Sequence, residues 1–493
     1  MRKYVKRGIN LKTAIVIGSG IAGLASAVRL SQKGYLVKVF EKNPGPGGKI
    51  NQFFEKGFRF DMGPTLFTMP WLVDELVNTV SAEQDFKYRS LDIICKYFYE
   101  DGTILNAYQD VKKFAGEIEQ KTGVEGKQLV RFIKKSKTLY DLTSEIFLFN
   151  AFQSLKTLVS PNFFKALFFW YKLDAFKTMH QVNTKFFKDQ RLVQLFDRYA
   201  TYNGSNPYEA PGTLNVIPYL EHQLGAFFPE KGMFSIVESI HSRAISLGVE
   251  FYFNHEVEKI LRSGNIVTGV KVGGKEHHSD IVVSNADIVP TYKLISNTVV
   301  PEFYRKQERS SSALIFYWGM NRKFPDLELH NILFSANYKK EFDCLFIEKT
   351  IYEDPTVYIF ISKKAVPGDA PSSMENWFVM INAPQNLEQD WNKIISLARE
   401  NIIRKINRIL GVKVEHHVVV EKILDPETIE NSTSSYMGSL YGTSSNSKFA
   451  AFARHPNFRK KYQGLYFCGG SVHPGGGIPL CLSSAKIVAS MIQ

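Results

Sequence analysis

One short segment near the start of the chain fixes the class of fold. Ala14-Ile-Val-Ile is an apolar, largely β-branched run that ends at Gly18-Ser-Gly20-Ile21-Ala22-Gly23. An amphipathic stretch to Gly34 follows, then a second apolar run from Tyr35 to Phe40 that closes on Glu41. Strand, glycine turn, helix, strand and acid, in that order, make a dinucleotide-binding βαβ unit. Gly18 permits the tight turn, Gly20 lets backbone approach a pyrophosphate, and Gly23 lets the helix pack close to the strand. The helix N-terminus presents unpaired N–H groups and a partial positive charge to the phosphates. Glu41 falls where a carboxylate holds ribose hydroxyls. The competing reading is a secretory leader. Arg2, Lys3, Lys6, Arg7 and Lys12 precede the apolar run, and Ala25-Ser-Ala27 imitates a cleavage site. Three glycines at motif spacing and a strand ending on Glu41 argue against it, so no signal peptide is expected.

The next segment narrows the cofactor. Glu41-Lys42-Asn-Pro-Gly-Pro-Gly47-Gly48-Lys49 resembles the glycine pair after the FAD-binding turn of amine-oxidase-like flavoproteins. Such a loop passes close to cofactor phosphates and ribose, where side chains would clash. Lys49 stands where that family usually has Arg, which keeps the charge and loses the bidentate fork. By composition alone the segment is also an ordinary surface turn. At the far end, Gly464-Leu-Tyr-Phe-Cys-Gly469-Gly470 is a strand running into glycines. It is followed by Ser471-Val-His473-Pro474-Gly-Gly-Gly477-Ile478-Pro479 and an apolar-periodic stretch. Glycines and then a proline in the first turn open a helix, whose N-terminus suits negative charge on a reduced flavin.

These segments, with Phe60-Asp61-Met-Gly63-Pro64-Thr65, Tyr202-Asn-Gly-Ser-Asn-Pro-Tyr-Glu-Ala-Pro211 and Gly225-Ala-Phe-Phe-Pro-Glu-Lys-Gly232, closely resemble bacterial carotenoid desaturases of the phytoene desaturase type. The resemblance runs through nearly the whole chain, and His473–Pro479 is its most specific piece. It implies FAD as cofactor, with contacts from Gly63, Pro64 and Thr65. It also implies a backbone group near Val257 against the adenine, a turn at Asn285, and cover from Gly469, Gly470, Gly477, Ile478 and Pro479. Within the family, Met62–Pro70 and Gly469–Leu482 are more similar to the branch that desaturates the 3,4 bond of a 1-hydroxylated acyclic carotenoid.

Bulk properties fit that picture. A chain of 493 residues with 44% hydrophobic and 22% charged content is globular and too long for one core. Cys95, Cys344, Cys468 and Cys481 show no metal-binding spacing, so neither a metal site nor a disulfide framework is expected. A net charge of +13 suits nucleic acid or an anionic membrane. The 38 Phe and 23 Tyr favour the membrane, and no nucleic-acid module is recognisable. No apolar run reaches the roughly 18 residues of a spanning helix. The expected placement is peripheral, on the cytoplasmic face of a membrane.

The expected architecture is α/β. A Rossmann-like FAD domain is built discontinuously from 1–80, 225–290 and 440–493, and an interleaved α+β substrate domain comes from 81–224 and 291–439. A helix is expected near Phe234–Leu247, with strands at Glu250–Phe253, Ile266–Val272, Asp280–Val283, Ser312–Trp318, Val357–Ile361 and Trp377–Ile381. A long helix is expected from Asn386 to Leu410, with Trp391, Ile394, Ile395, Ala398, Ile402 and Ile406 as core. Phe147–Phe176 combines Lys165 and Lys172 on one stripe with Phe163, Phe164, Phe168, Phe169, Trp170 and Tyr171. It reads either as an interfacial anchor or as a buried wall with snorkelling lysines.

The chemistry expected of a long apolar polyene is simple. Removing two hydrogens needs a hydride acceptor, supplied by FAD, and an apolar tunnel that aligns one C–C bond with it. The proton leaves to a weak base. His473 is the motif-borne candidate, and its competing role is to hold the glycine loop; Asp61 is expected to pin backbone. The final electron acceptor is oxygen or a membrane quinone. Three alternatives stand beside the 3,4-desaturase: a phytoene desaturase, an amine-oxidase-like flavin oxidase, and a non-catalytic prenyl-lipid-binding protein of the same fold.

Overall fold

The computed structural model describes residues 12–78, 86–150, 160–295 and 298–492. The basic stretch 1–11, residues 151–159 of the aromatic segment, and the side chains of Phe163 and Trp170 lie outside the described residues.

The dinucleotide half is a five-stranded parallel sheet gathered from distant parts of the chain. Its order is Glu250–Tyr252, Leu36–Phe40, Thr13–Ile17, Ile281–Ser284 and Leu465–Phe467. Val16 is in register with Val39 on one side and Val283 on the other. Ala14 to Val16 are almost wholly buried, which is why this strand reads as a continuous apolar run and not as an alternation. The helix Ile21–Gln32 buries Ala22, Gly23, Ala25, Ser26 and Ala27. These small residues let it pack against both Ile478–Met491 and Ser235–Ser246.

The other half is a seven-stranded sheet. Its order is Val418–Leu424, Ser312–Met320, Glu375–Ala383, Val357–Phe360, His330–Leu333, Ile93–Phe98 and Ile104–Tyr108. Alternation along these strands separates two faces. Leu314, Phe316, Trp318, Trp377, Val379 and Ile381 pack on the long helix through Ala398, Ile402 and Ile406. That helix runs Trp391–Leu410, later than the expected start at Asn386, because Asp390 caps it by accepting from the Lys393 N–H. The opposite face carries a row across the sheet. Leu424 is in register with Ile315, Ile315 with Met380, Met380 with Tyr358, and Tyr358 with Ile332. This row faces the parallel sheet's glycine loops and lines the cavity described next.

Candidate active site

A cavity of about 990 Å³ is lined by both halves of the molecule. Among the expected cofactor residues, Gly18, Gly20, Ile21, Ala22, Glu41, Lys42, Gly47, Gly48 and Lys49 line it from the first βα turn and the glycine pair. Gly63, Pro64, Thr65, Val257, Asn285, Gly469, Gly470, Gly477, Ile478 and Pro479 line it from the other loops. Gly23 does not; it packs behind the turn, where an added Cβ would come within 2.1 Å of the Gly18 carbonyl oxygen.

The cradle is bare backbone. The Gly47 N–H donates to the Ser19 carbonyl at 2.9 Å, which draws the glycine pair onto the first turn. A Cβ on Gly20 would lie 2.6 Å from Asn285 Nδ2, and one on Gly48 would lie 3.3 Å from Gly20 Cα. The helices starting at Ile21 and Ile478 both begin at this cavity, and neither has a side-chain cap. Their first-turn N–H groups are therefore available to an anion. This arrangement fits the diphosphate of a dinucleotide.

Charge is distributed to match. Glu41 Oε2 accepts from the Ser19 N–H at 2.7 Å and hydroxyl at 2.9 Å, and Oε1 accepts from the Asn43 N–H and side-chain amide, each at 2.9 Å. A ribose hydroxyl would thus share oxygens that already fix the carboxylate. Lys42 is turned to the Asn431 carbonyl and the Ser434 hydroxyl. Lys49 donates to the Ser439 and Leu440 carbonyls at 2.9 and 2.6 Å. Burial pushes its ammonium down to about 8, against the opposing pull of Asp287. Asp287 itself pairs with the buried Arg309. Burial also raises the Cys481 thiol to about 11, so that lining group stays protonated.

His473 is placed elsewhere. It is buried and does not line the cavity. Its Nε2 meets the Asn150 carbonyl at 2.8 Å, while its own carbonyl accepts from Asn457 and Ser484 at 2.8 and 2.9 Å. Burial lowers its imidazole to about 4. Asp61 accepts from the Met233 and Phe234 N–H groups at 3.0 and 3.1 Å, and pairs with Arg59. Both residues hold loops together by these bonds.

The sheet side contributes residues that motif reading missed. His330, Tyr358, Arg198 and Tyr202 line the cavity. Tyr358 Oη lies 2.7 Å from both Thr65 Oγ1 and His330 Nδ1. Arg198 donates to Tyr97 at 2.6 Å and Tyr202 at 3.3 Å, and its guanidinium stacks over the rings of Tyr97, Tyr199 and Tyr202. The one available signal was a histidine set in the buried strand His330-Asn-Ile-Leu333. Among the described residues no three His, Cys, Asp or Glu side chains stand together as a metal site.

Residues 21–493 match the flavin-containing amine oxidoreductases. The chain belongs to that family. Its cofactor is accordingly FAD, and the enzyme is an FAD-dependent oxidoreductase. It is 50% identical to a 1-hydroxycarotenoid 3,4-desaturase of Flavobacterium sp. (strain P99-3) over 98% of this chain and 99% of that one. It is 30% identical to a 4,4'-diapolycopene oxygenase of Methylomonas sp, covering 97% of each. A solved oxidoreductase from Methanosarcina mazei shares the fold with a TM-score of 0.64 at 15% identity, covering 97% of this chain and all of that one. Within the flavoenzyme family the chain is thus a member of the carotenoid desaturase group.

Proposed function

We propose that this enzyme introduces the 3,4 double bond into the 1-hydroxylated end of an acyclic carotenoid, as a step of carotenoid biosynthesis. The observation that carries the proposal is a single cavity whose glycine-lined part continues into an apolar sheet face, together with half identity to a relative of that activity along its full length. FAD, held by the glycine loops and the two helix N-termini, supplies a two-electron acceptor. The chain's own residues do the rest. Ile315, Ile332, Met380, Phe378 and Leu424 offer an apolar wall that keeps a polyene aligned and water out. Lys49 and the helix starting at Ile478 place positive potential beside the site. His473 contributes by fixing its loop, since its ring is engaged away from the cavity.

The enzyme would take its substrate from a membrane surface. No described helix is long and apolar enough to cross a membrane. However, Phe164, Phe168, Tyr171 and Phe176 are 58%, 74%, 60% and 61% exposed on one short stretch, where Lys172 lies 4.6 Å over the Phe169 ring. Exposed aromatics among lysines favour interfacial docking over a buried wall. A membrane quinone or oxygen would take the electrons onward.

The test is a pigment spectrum. The FAD-loaded enzyme is incubated with vesicles carrying phytoene or a 1-hydroxylated acyclic carotenoid. A red shift with the hydroxylated pigment alone is expected. Colour from phytoene would instead make this an early-pathway desaturase, and an oxygenated product would place it with the oxygenases.

A further inference from the structure

The sheet side of the cavity wall carries polar residues that the glycine loops do not account for, and His330 is among them. His330 sits on the buried strand His330–Leu333 and is only 3% exposed. Its ring lies flat against Phe360, with centroids 5.3 Å apart and planes 18° apart. Nδ1 is fixed by Tyr358 Oη at 2.7 Å, and Tyr358 Oη is fixed in turn by Thr65 Oγ1 at 2.7 Å. Nε2 is buried and has no hydrogen-bond partner among the described residues. Burial and the nearby Arg198 guanidinium hold the ring down near 3, so it is a neutral imidazole. Arg198 lines the same region, but its charge is paired with the buried Glu221 carboxylate at 3.6 Å, and its guanidinium is engaged by the Tyr97 and Tyr202 hydroxyls and three ring faces.

An unpaired polar nitrogen beside a wholly apolar chain is unfavourable. It becomes favourable when the ligand brings one hydroxyl to that point. Resting on the 3,4-desaturase reading, we infer that His330, oriented by Tyr358 and Thr65, receives the tertiary hydroxyl of the substrate end group and selects hydroxylated carotenoids over unsubstituted ones.

The chemistry sets where such a group must be. In a 1-hydroxylated end group, the carbon bearing the hydroxyl is two bonds from the nearer reacting carbon. The receiving residue must then stand beside the reacting bond and not at a remote end of the tunnel. His330 is tied to the cofactor-side loop through its relay. Thr65 follows the Gly63-Pro64 loop on the cofactor side, Tyr358 lies on the sheet, and the hydrogen bonds join the two walls. A hydroxyl also suits either tautomer: it donates to Nε2 when Nδ1 carries the proton and accepts from Nε2 when it does not. Tyr358 and Thr65 can reverse their donor roles to match either state.

The experiment compares wild type with His330→Leu and His330→Gln, using a 1-hydroxylated acyclic carotenoid and its matched 1,2-dihydro analogue without the hydroxyl. Two readouts are taken: kcat/KM in vesicles, and the dissociation constants of both pigments on the anaerobically reduced protein, which cannot turn over. The wild-type preference for the hydroxylated pigment should fall by on the order of 10-fold to 100-fold in His330→Leu. His330→Gln, which keeps a polar tip, should recover part of it. A ratio unchanged in His330→Leu, in turnover and in binding, overturns the inference while leaving the desaturase reading intact. Absence of turnover on every carotenoid would defeat that reading, and the binding ratio would still decide the role of His330.

Discussion

Replacing Gly23 by alanine isolates the contact that holds the first helix against the first turn. Gly23 lies inside the helix Ile21–Gln32, where alanine is ordinarily the better residue by about 1 kcal/mol. Here the new Cβ would lie 2.1 Å from the Gly18 carbonyl oxygen and 3.3 Å from Asn285 Cβ. The first contact is nearly 1 Å inside the 3.0 Å below which real Cβ contacts essentially never fall. The obstructing atom is backbone, so no rotamer change relieves it. Overpacking of this kind costs about 3 kcal/mol at the upper end of its usual range. Subtracting the helix gain leaves a loss of about 2 kcal/mol. Because Gly18 lines the cofactor cavity, the strain is relieved by opening the turn, and FAD affinity should fall at least about tenfold. Gly34→Ala is the control. It lies just beyond the end of this helix, has φ +89°, and meets no atom within 4 Å, so its replacement should cost about 1–2 kcal/mol of backbone strain without loosening FAD. Urea unfolding of the apoproteins and FAD titration measure both quantities. A Gly23→Ala protein with wild-type stability and FAD affinity would refute the steric account.

Three further outcomes follow from particular contacts. His473→Ala, once loaded with FAD, should keep its turnover within about threefold, since a positioned base is worth at least about 100-fold; a loss that large would restore His473 as the base. His455, buried between Tyr292 Oη at 2.9 Å and the Pro456 carbonyl at 2.7 Å, is held by burial at about 3 against a usual 6.5. The folded state therefore refuses a proton that the unfolded chain accepts, and this contribution is constant above pH 6.5 and is lost as pH falls below it. The stability margin of wild type over His455→Gln should shrink by about 1.4 kcal/mol per pH unit between pH 6.5 and 4 in urea unfolding, and a flat margin would contradict the assignment. Changing Phe168 and Tyr171 together to serine should reduce binding to anionic vesicles by at least about tenfold in a flotation assay, since burying each ring is worth about 1.5–3 kcal/mol; unaltered flotation would remove this surface as the docking site.

The dinucleotide half was legible because its chemistry fixes residue type and spacing together. A glycine whose Cβ would strike a backbone oxygen, and a carboxylate at the end of the next strand, leave few other meanings. The strands Glu250–Tyr252, Ile266–Val272 and Ser312–Met320 were also readable within a residue or two. The order of the seven-stranded sheet was not. Ser312–Met320 is buried on both faces, so its sequence shows no alternation from which to tell the cavity face from the helix face. The inclusion of Ile93–Phe98 and Ile104–Tyr108 as its last two strands depends on contacts far away in the chain. His330 and Tyr358 were overlooked for that reason. Each is a polar residue in a short buried strand, and only the register that sets Tyr358 opposite Met380 and Ile332 shows which face it serves. His473 is the opposite case. Its motif is conspicuous because the loop is demanding, and the structure spends its ring and carbonyl on that loop.

The two halves of the cavity impose different kinds of constraint, and this bears on how the enzyme selects its substrate. On the cofactor side, glycines remove side chains so that backbone N–H groups face one anion, and nearly any substitution intrudes. On the sheet side, period-2 alternation presents a row of interchangeable apolar residues, where one methylene more or less changes discrimination only modestly. An apolar wall therefore distinguishes polyenes of similar girth poorly. A single buried hydrogen-bonding group in that wall distinguishes them far better, because the wrong ligand leaves it unpaired. Aligning a polyene and choosing among polyenes are thus separate tasks for the same sheet face. Ile315, Met380 and Leu424 serve the first, while His330, whose Nδ1 is fixed by Tyr358 and whose Nε2 has no partner among the described residues, serves the second.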